Sequence, residues 1–132
     1  MSFRNLLEYV RYLELARQLL DNLEELERRG DFRKASEVLW GAVVNYTKAL
    51  LALVCEKPEI VRSMRHRDLR REMKYIVMSV GEDPHLVTEI EALHANFYED
   101  FMDPDDYLMY KRKVLKYLNI VMRRIEQVFE QF

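Results

Sequence analysis

Apolar residues recur at intervals of three and four along most of the chain, the spacing that places them on one face of an α-helix. No stretch shows the strict alternation of apolar and polar residues that predicts a half-buried strand. Only three glycines and three prolines interrupt the pattern in 132 residues. The sequence therefore predicts an all-α fold.

Turn and capping residues divide this pattern into five predicted helices. Gly30 can end a helix in the left-handed conformation, Asp31 can cap the next one, and the Asp-Pro pairs at 83–84 and 103–104 are helix starts. The predicted helices cover residues 3–29, about 32–55, about 67–80, and two further segments that open at 83 and 103. Short connections predict an up-down antiparallel bundle of four long helices plus a shorter one, in a single domain over residues 1–132.

Each predicted helix has an apolar face that is expected to be buried. In the first helix this face includes Phe3, Leu6, Leu7, Val10 and Leu13, and in the fourth it includes Leu86, Ile90, Leu93, Phe97 and Phe101. The last helix is expected to bury Val114, Leu118, Val121, Ile125 and Val128. Beside them runs a second row, Leu108, Leu115, Met122 and Phe129, whose members are seven residues apart, as in a heptad seam.

Composition limits the environment of the protein. The net charge of −2 argues against coating nucleic acid or an anionic membrane through bulk charge. The single cysteine, Cys55, excludes an internal disulfide and fits a reducing compartment. No signal-peptide core is present near the N-terminus, and the apolar run 40–55 contains polar residues, so a cytoplasmic protein without a membrane partner is expected. Abundant Glu, Arg and Leu with little Thr or Gln leans toward a thermophile's composition.

Charge is segregated along the chain. Residues 62–74 carry a net charge of +4, because six cations outnumber Asp68 and Glu72: Arg62, Arg65, Arg67, Arg70, Arg71 and Lys74. Residues 82–106 carry −9 with no Lys or Arg. The guanidinium groups suit phosphates, so the basic segment predicts a phosphate- or RNA-facing patch, with Lys111, Arg112, Lys113 and Lys116 as further candidates. The alternative is that the two segments neutralise each other within the bundle or across a dimer interface.

Other chemistry has weaker support in the sequence. Glu91 and His94 have the Glu-x-x-His spacing of di-metal bundles. Such a site needs a second copy of the motif and two further inward-facing glutamates, and the sequence has only this one copy, so no metal and no cofactor is expected. The alternative role of His94 is a hydrogen bond to a neighbouring helix. Cys55 lies in an apolar run where a thiol is inert, and Tyr107, Tyr110 and Tyr117 could stack bases or simply pack.

Three stretches resemble the archaeal PaREP-type family: the segment from Gly30-Asp31-Phe32 to Val44, His66-Arg67-Asp68-Leu69, and Leu93-His94-Ala95-Asn96-Phe97-Tyr98-Glu99. The resemblance runs from about residue 11 to the C-terminus. It implies a HEPN-like helical bundle, commonly dimeric, often encoded near nucleotidyltransferases or in toxin–antitoxin and host-defence systems. It also implies His94, Asn96, Tyr98 and Glu99 as the family motif.

Many HEPN proteins are metal-independent ribonucleases that use an Arg, four to six further residues and then a His. This motif is absent, because Arg62 precedes His66 by only three intervening residues. The leading hypothesis is therefore a dimeric module that binds RNA or a nucleotidyltransferase-type partner without catalysis. The alternatives are an unconventional metal-independent ribonuclease that uses His94, with Tyr98 and His66 as further candidates, and a purely structural oligomer.

Overall fold

The computed structural model describes residues 1–132 and contains six α-helices, one 3-10 helix and no strand, which confirms the all-α prediction. The α-helices are α1 (Phe3–Asp21), α2 (Leu23–Arg28), α3 (Phe32–Val54), α4 (His66–Ser79), α5 (His85–Glu99) and α6 (Pro104–Glu130). The 3-10 helix Pro58–Ser63 lies between α3 and α4.

Helix α3 is the centre of the bundle and contacts every other helix. It is apolar around most of its girth, which is what a fully enclosed helix requires. Its polar groups are satisfied locally, since the buried Thr47 hydroxyl donates to the carbonyl of Val43 and lies 2.6 Å from the hydroxyl of Tyr117 on α6. By length and composition α3 could also cross a bilayer, and 56% of its most apolar window is buried in the bundle.

Most neighbouring helices are antiparallel, as predicted. The start of α1 lies at the end of α3, since Asn5 Nδ2 donates to the carbonyls of Ala52 and Cys55 at 2.7 and 2.8 Å. Helices α5 and α6 are antiparallel as well. Two helices are parallel to α3. Helix α6 packs its Tyr107 on Phe32 and its Tyr117 on Thr47. Helix α4 is parallel as well, because residues 55–65 run back along the bundle and place His66 beside Trp40. This connection determines where α4 begins.

The helix caps follow the predicted local chemistry. Gly30 and Gly81 have positive φ angles of 74° and 78° directly after α2 and α4. Asp31 accepts from the amide of Lys34 at 3.2 Å, and Asp103 accepts from the amide of Asp106 at 2.8 Å. These are interactions of a few neighbouring residues, so the sequence alone locates them.

The first predicted helix, residues 3–29, is divided at Asn22 into α1 and α2. The prediction of its buried face was also wrong. Helix α1 buries Asn5, Glu8, Tyr12 and Ala16, while Phe3, Leu6, Leu7 and Val10 are exposed. The reason is that the buried polar groups have specific partners on other elements, which orient the helix, and its apolar face is left uncovered.

Two further burial predictions are corrected. The second row of α6, Leu108, Leu115, Met122 and Phe129, is exposed, although Val114, Leu118, Val121 and Ile125 are buried as expected. Phe97 is only partly buried and Phe101 is exposed, because α5 ends at Glu99 and Asp100 turns the chain with a φ of 49°.

Glu8 on α1 is the buried partner of the 3-10 helix. Nε of Arg62 donates to Glu8 Oε2 at 3.2 Å, and Nη2 binds the other carboxylate oxygen. This hydrogen bonding lowers the pKa of the Glu8 carboxyl from its ordinary value. The pair connects α1 to the segment that leads into α4.

We predict that Asn96→Ala destabilises the fold. Asn96 is buried, donates to Ser36 Oγ at 3.0 Å and accepts from the amide of Met102 at 2.9 Å. Loss of the side chain leaves that amide without an acceptor, at a cost of about 1–3 kcal/mol. Chemical denaturation measures the change, with the exposed Thr88→Ala on the same helix as control. An Asn96→Ala protein as stable as the control would contradict this structural role.

A second prediction concerns acid stability. Because the folded-state pKa of Glu8 is lowered, the stability it contributes is complete above the unfolded carboxyl pKa, near 4.5, and is lost as pH falls through the folded value. We therefore expect Glu8→Gln to lower the melting temperature at neutral pH and the difference to shrink below pH 4.5. Melting curves of both proteins from neutral to acidic pH measure this. A difference that does not change with pH would contradict the assignment.

Candidate functional site

Two of the three histidines lie side by side where α3, α4 and α5 meet. His66 is the first residue of α4 and His94 lies near the end of α5, and their ring centroids are 6.3 Å apart. Their side chains are 46% and 39% exposed, so both rings can reach a ligand in solvent. We call this arrangement the two-histidine site.

His94 is oriented by a carboxylate of α3. Its Nδ1 lies 2.9 Å from Glu37 Oε2. Because an ionised carboxylate only accepts hydrogen bonds, Nδ1 carries the hydrogen of this bond, and Nε2 is left to accept or release a proton. The predicted hydrogen bond from His94 to a neighbouring helix is thus confirmed, and it leaves one ring nitrogen free.

His66 is flanked by a second carboxylate. Its Nε2 lies 3.6 Å from Glu91 Oε2, while the other oxygen of Glu91 lies 2.7 Å from Nε of Arg70. These two atoms of Arg70 and Glu91 are buried and neither makes a hydrogen bond, so their contact is a close ion pair only. Glu91 therefore links the first two turns of α4 to α5, and each histidine of the site has its own carboxylate.

Aromatic side chains complete the site. The Trp40 ring, only 5% exposed, lies 5.6 Å from each histidine ring and forms the floor between them. Tyr98 lies one turn after His94, contacts it edge to face at 5.4 Å, and is largely exposed. The site thus brings together all three predicted catalytic candidates, His94, Tyr98 and His66.

The predicted basic patch is only partly available. Arg62 binds Glu8 on α1, and Arg70 binds Glu91, so these two cations are used within the chain. The other four, Arg65, Arg67, Arg71 and Lys74, form no ion pair within the chain. Arg67, Arg71 and Lys74 share one face of α4 by their spacing and adjoin the row that contains His66 and Arg70.

The lysines of α6 do not extend this patch. Lys111 binds Glu27 of α2 at 2.7 Å, Lys113 binds Glu89, and Lys116 binds Glu82 at 2.9 Å. The acidic segment 82–106 is therefore neutralised in part by α6 and in part by Arg70. Arg112 has no ion-pair partner within the chain and is exposed.

The remaining predicted residues are outside the two-histidine site or have structural roles. Asn96 is buried and connects α5 to α3, and Glu99 is exposed at the end of α5. No group of three or more His, Cys, Asp or Glu side chains is placed to hold a metal ion. Burial raises the pKa of the Cys55 thiol, which therefore stays protonated at neutral pH. Tyr107 and Tyr117 are fully buried, so they are not free to stack bases.

Sequence reasoning did not find the parts of the site contributed by α3. Glu37 and Trp40 lie in one of the family-like stretches, yet nothing in their local pattern indicates contact with two histidines from other helices. The proximity of His66 and His94 depends on how far residues 55–65 carry the chain back along α3. No local signal encodes that distance.

Comparison with known sequences gives a family. No curated protein and no solved structure matches the chain. The sequence model of the archaeal PaREP1/PaREP8 family matches residues 11–118, a range that includes α3, α4 and α5 and every residue of the two-histidine site. The chain therefore belongs to the archaeal PaREP1/PaREP8 family.

Proposed function

We propose that this protein binds single-stranded RNA across α4 and α5 and cleaves it without a metal ion, with His66 and His94 as the acid–base pair. The observation that carries the proposal is the pair of half-exposed imidazoles, 6.3 Å apart, each beside its own carboxylate. Proton transfer by positioned histidines contributes typically 10²- to 10⁴-fold to a rate. This geometry favours the ribonuclease hypothesis over binding without catalysis.

The reaction is a transesterification within the RNA backbone. One imidazole takes the proton of a ribose 2′-hydroxyl, and the 2′-oxygen forms a bond to the adjacent phosphorus. The bond from phosphorus to the 5′-oxygen breaks, and the other imidazole, as imidazolium, gives that oxygen a proton. The products are a 2′,3′-cyclic phosphate and a 5′-hydroxyl. Each imidazole must come within about 2.6–3.2 Å of its oxygen, which the separation of the two rings allows.

The carboxylates and cations have distinct roles in this proposal. Glu37 holds the His94 ring through their hydrogen bond and stabilises its imidazolium form, and the charge of Glu91, 3.6 Å from Nε2 of His66, favours the imidazolium form of His66. Arg67, Arg71 and Lys74 supply charge for the phosphates on either side of the scissile bond. The exposed ring of Tyr98 supplies a surface on which a base can stack, an interaction worth about 1–3 kcal/mol per base.

Binding without cleavage is the second candidate. It is favoured by the pairing of Arg70 with Glu91, which removes a cation from the reacting phosphate. In that case the site is an RNA-binding or nucleotidyltransferase-binding surface only.

We also propose a HEPN-like relationship, a toxin–antitoxin role, a cytoplasmic location and a thermophilic source, which the all-helical bundle, the archaeal family and the composition support.

We predict cleavage of a single-stranded RNA oligonucleotide in the presence of EDTA, with a 2′,3′-cyclic phosphate end that mass spectrometry identifies. His66→Ala and His94→Ala should each lower the rate about 100-fold or more, since each removes one proton-transfer group. The matched control is His85→Ala, because His85 is exposed at the other end of α5. DNA of the same sequence has no 2′-hydroxyl and should remain intact. RNA that binds but is never cut, or is cut equally by the variants, would overturn the catalytic proposal.

We also predict the salt dependence of RNA binding. Replacing Arg67, Arg71 and Lys74 together by Ala should lower the affinity and reduce the slope of log K against log salt by about 0.7 for each phosphate that the protein no longer neutralises. Fluorescence anisotropy at several salt concentrations measures both. As a control, Arg17→Ala removes an exposed cation of α1 in the groove between α1 and α6, outside α4 and α5, and should leave the slope unchanged. Equal effects of the two changes would mean that binding follows net charge and not this face of α4.

A further inference from the structure

Helices α1 and α6 leave an apolar surface uncovered on one side of the bundle. A groove of about 530 Å³ lies between them, lined mainly by Tyr9 and Leu13 of α1, Tyr46 of α3, and Met122, Ile125 and Phe129 of α6. Beside it on α1 are the exposed Phe3, Leu6, Leu7 and Val10. Apolar patches of this kind are characteristic of interaction surfaces.

The uncovered row of α6 has the period of a helix-pairing seam. Leu108, Leu115, Met122 and Phe129 are seven residues apart, and each is between 40 and 53% exposed. The seven-residue period keeps a row on one side of a helix only where that helix winds around another helix. At 1.5 Å per residue the row extends over about 32 Å. The occupant that fits it is therefore a long helix with apolar residues at matching intervals.

A second copy of α6 meets this requirement in one orientation. If two α6 helices are antiparallel and cross near Asn119, Leu108 faces Phe129 of the other copy and Leu115 faces Met122. The same arrangement places Arg112 opposite Glu126, and both are exposed without an ion-pair partner inside the chain. In a parallel pair, Arg112 would lie beside Arg112 of the other copy and Glu126 beside Glu126, so like charges would meet. The row and its flanking charges are thus self-complementary only in the antiparallel arrangement.

The available area is also of the right size. The exposed parts of the eight apolar side chains named on α1 and α6 amount to roughly 700 Å², and each partner of a standard interface contributes about 800 Å². The row of α6 alone would be too small. Both helices are needed, which agrees with the position of the groove between them.

We propose that the protein forms a two-fold symmetric dimer in which α6 pairs antiparallel with α6 of a second copy, centred near Asn119, with α1 of each copy flanking the pair. The partner is a second copy of this chain, and the pairing is independent of RNA. The two-histidine site is assembled from α3, α4 and α5, and no residue of it belongs to the proposed interface.

A charge-reversal series tests the dimer by analytical ultracentrifugation. Arg112→Glu and Glu126→Arg should each raise the dimer dissociation constant at least about tenfold, because each creates two like-charge contacts across the axis. The double variant should restore the dimer. The matched control is Arg124→Glu, the same change at an exposed position on another face of α6. Circular dichroism confirms that each variant is folded.

Cysteine cross-linking tests the register. In a Cys55→Ser background, Asn119→Cys should form an intermolecular disulfide under mild oxidation, because a residue on the axis meets its own copy. Leu108→Cys should not form a disulfide, because residue 108 of the other copy lies at the opposite end of the α6 pair. A wild-type protein that is monomeric at high micromolar concentration, or a dimer unaffected by the charge reversals and not cross-linked at 119, would overturn the proposal. Since no RNA is present, the result is separate from the outcome of the cleavage assay.

Discussion

The need to bury α3 determines the rest of the structure. A helix that is apolar around most of its circumference cannot lie on a surface, so the other elements are arranged around it. The few polar groups that enter this core are satisfied, as in the contacts of Thr47 with Val43 and Tyr117. An unsatisfied group there would cost more than the average hydrogen bond contributes. The central helix therefore determines how many other helices must pack around it and where in the core a polar side chain is tolerated.

The two-histidine site depends on the part of α3 that is least apolar. Glu37 and Trp40 lie in its first three turns, where the side chain of Glu37 is still 34% exposed. A carboxylate can be placed there without complete desolvation, and a large aromatic ring can fill the space between two helices. The same helix thus provides the core of the bundle and the base of the site, and both histidines pack against the central helix.

Local patterns predicted the parts of the fold that local physics determines. Gly30, Asp31 and Asp103 act on amides and carbonyls a few residues away, so their roles were predicted correctly. The buried face of α1 was not predicted correctly, because Asn5 and Glu8 are oriented by partners about fifty residues away. The same limit applies to the site: His66 and His94 meet through tertiary packing, and the carboxylates that bind Arg62 and Arg70 lie in distant segments that no local pattern connects to them.

The parallel course of α3 and α4 has a consequence for the order of assembly. The antiparallel pair of α1 and α3 is connected by the short helix α2 and the turn at Gly30, so it can form early in folding because the chain between them is short. His66 lies beside Trp40 only when residues 55–65 run back along the bundle, where the pair of Arg62 with Glu8 connects them to α1. We therefore expect the chemical groups of the site to come together after the pair of α1 and α3 has formed. Loosening α4 alone would separate the two imidazoles while the contact of His94 with Glu37 remains intact.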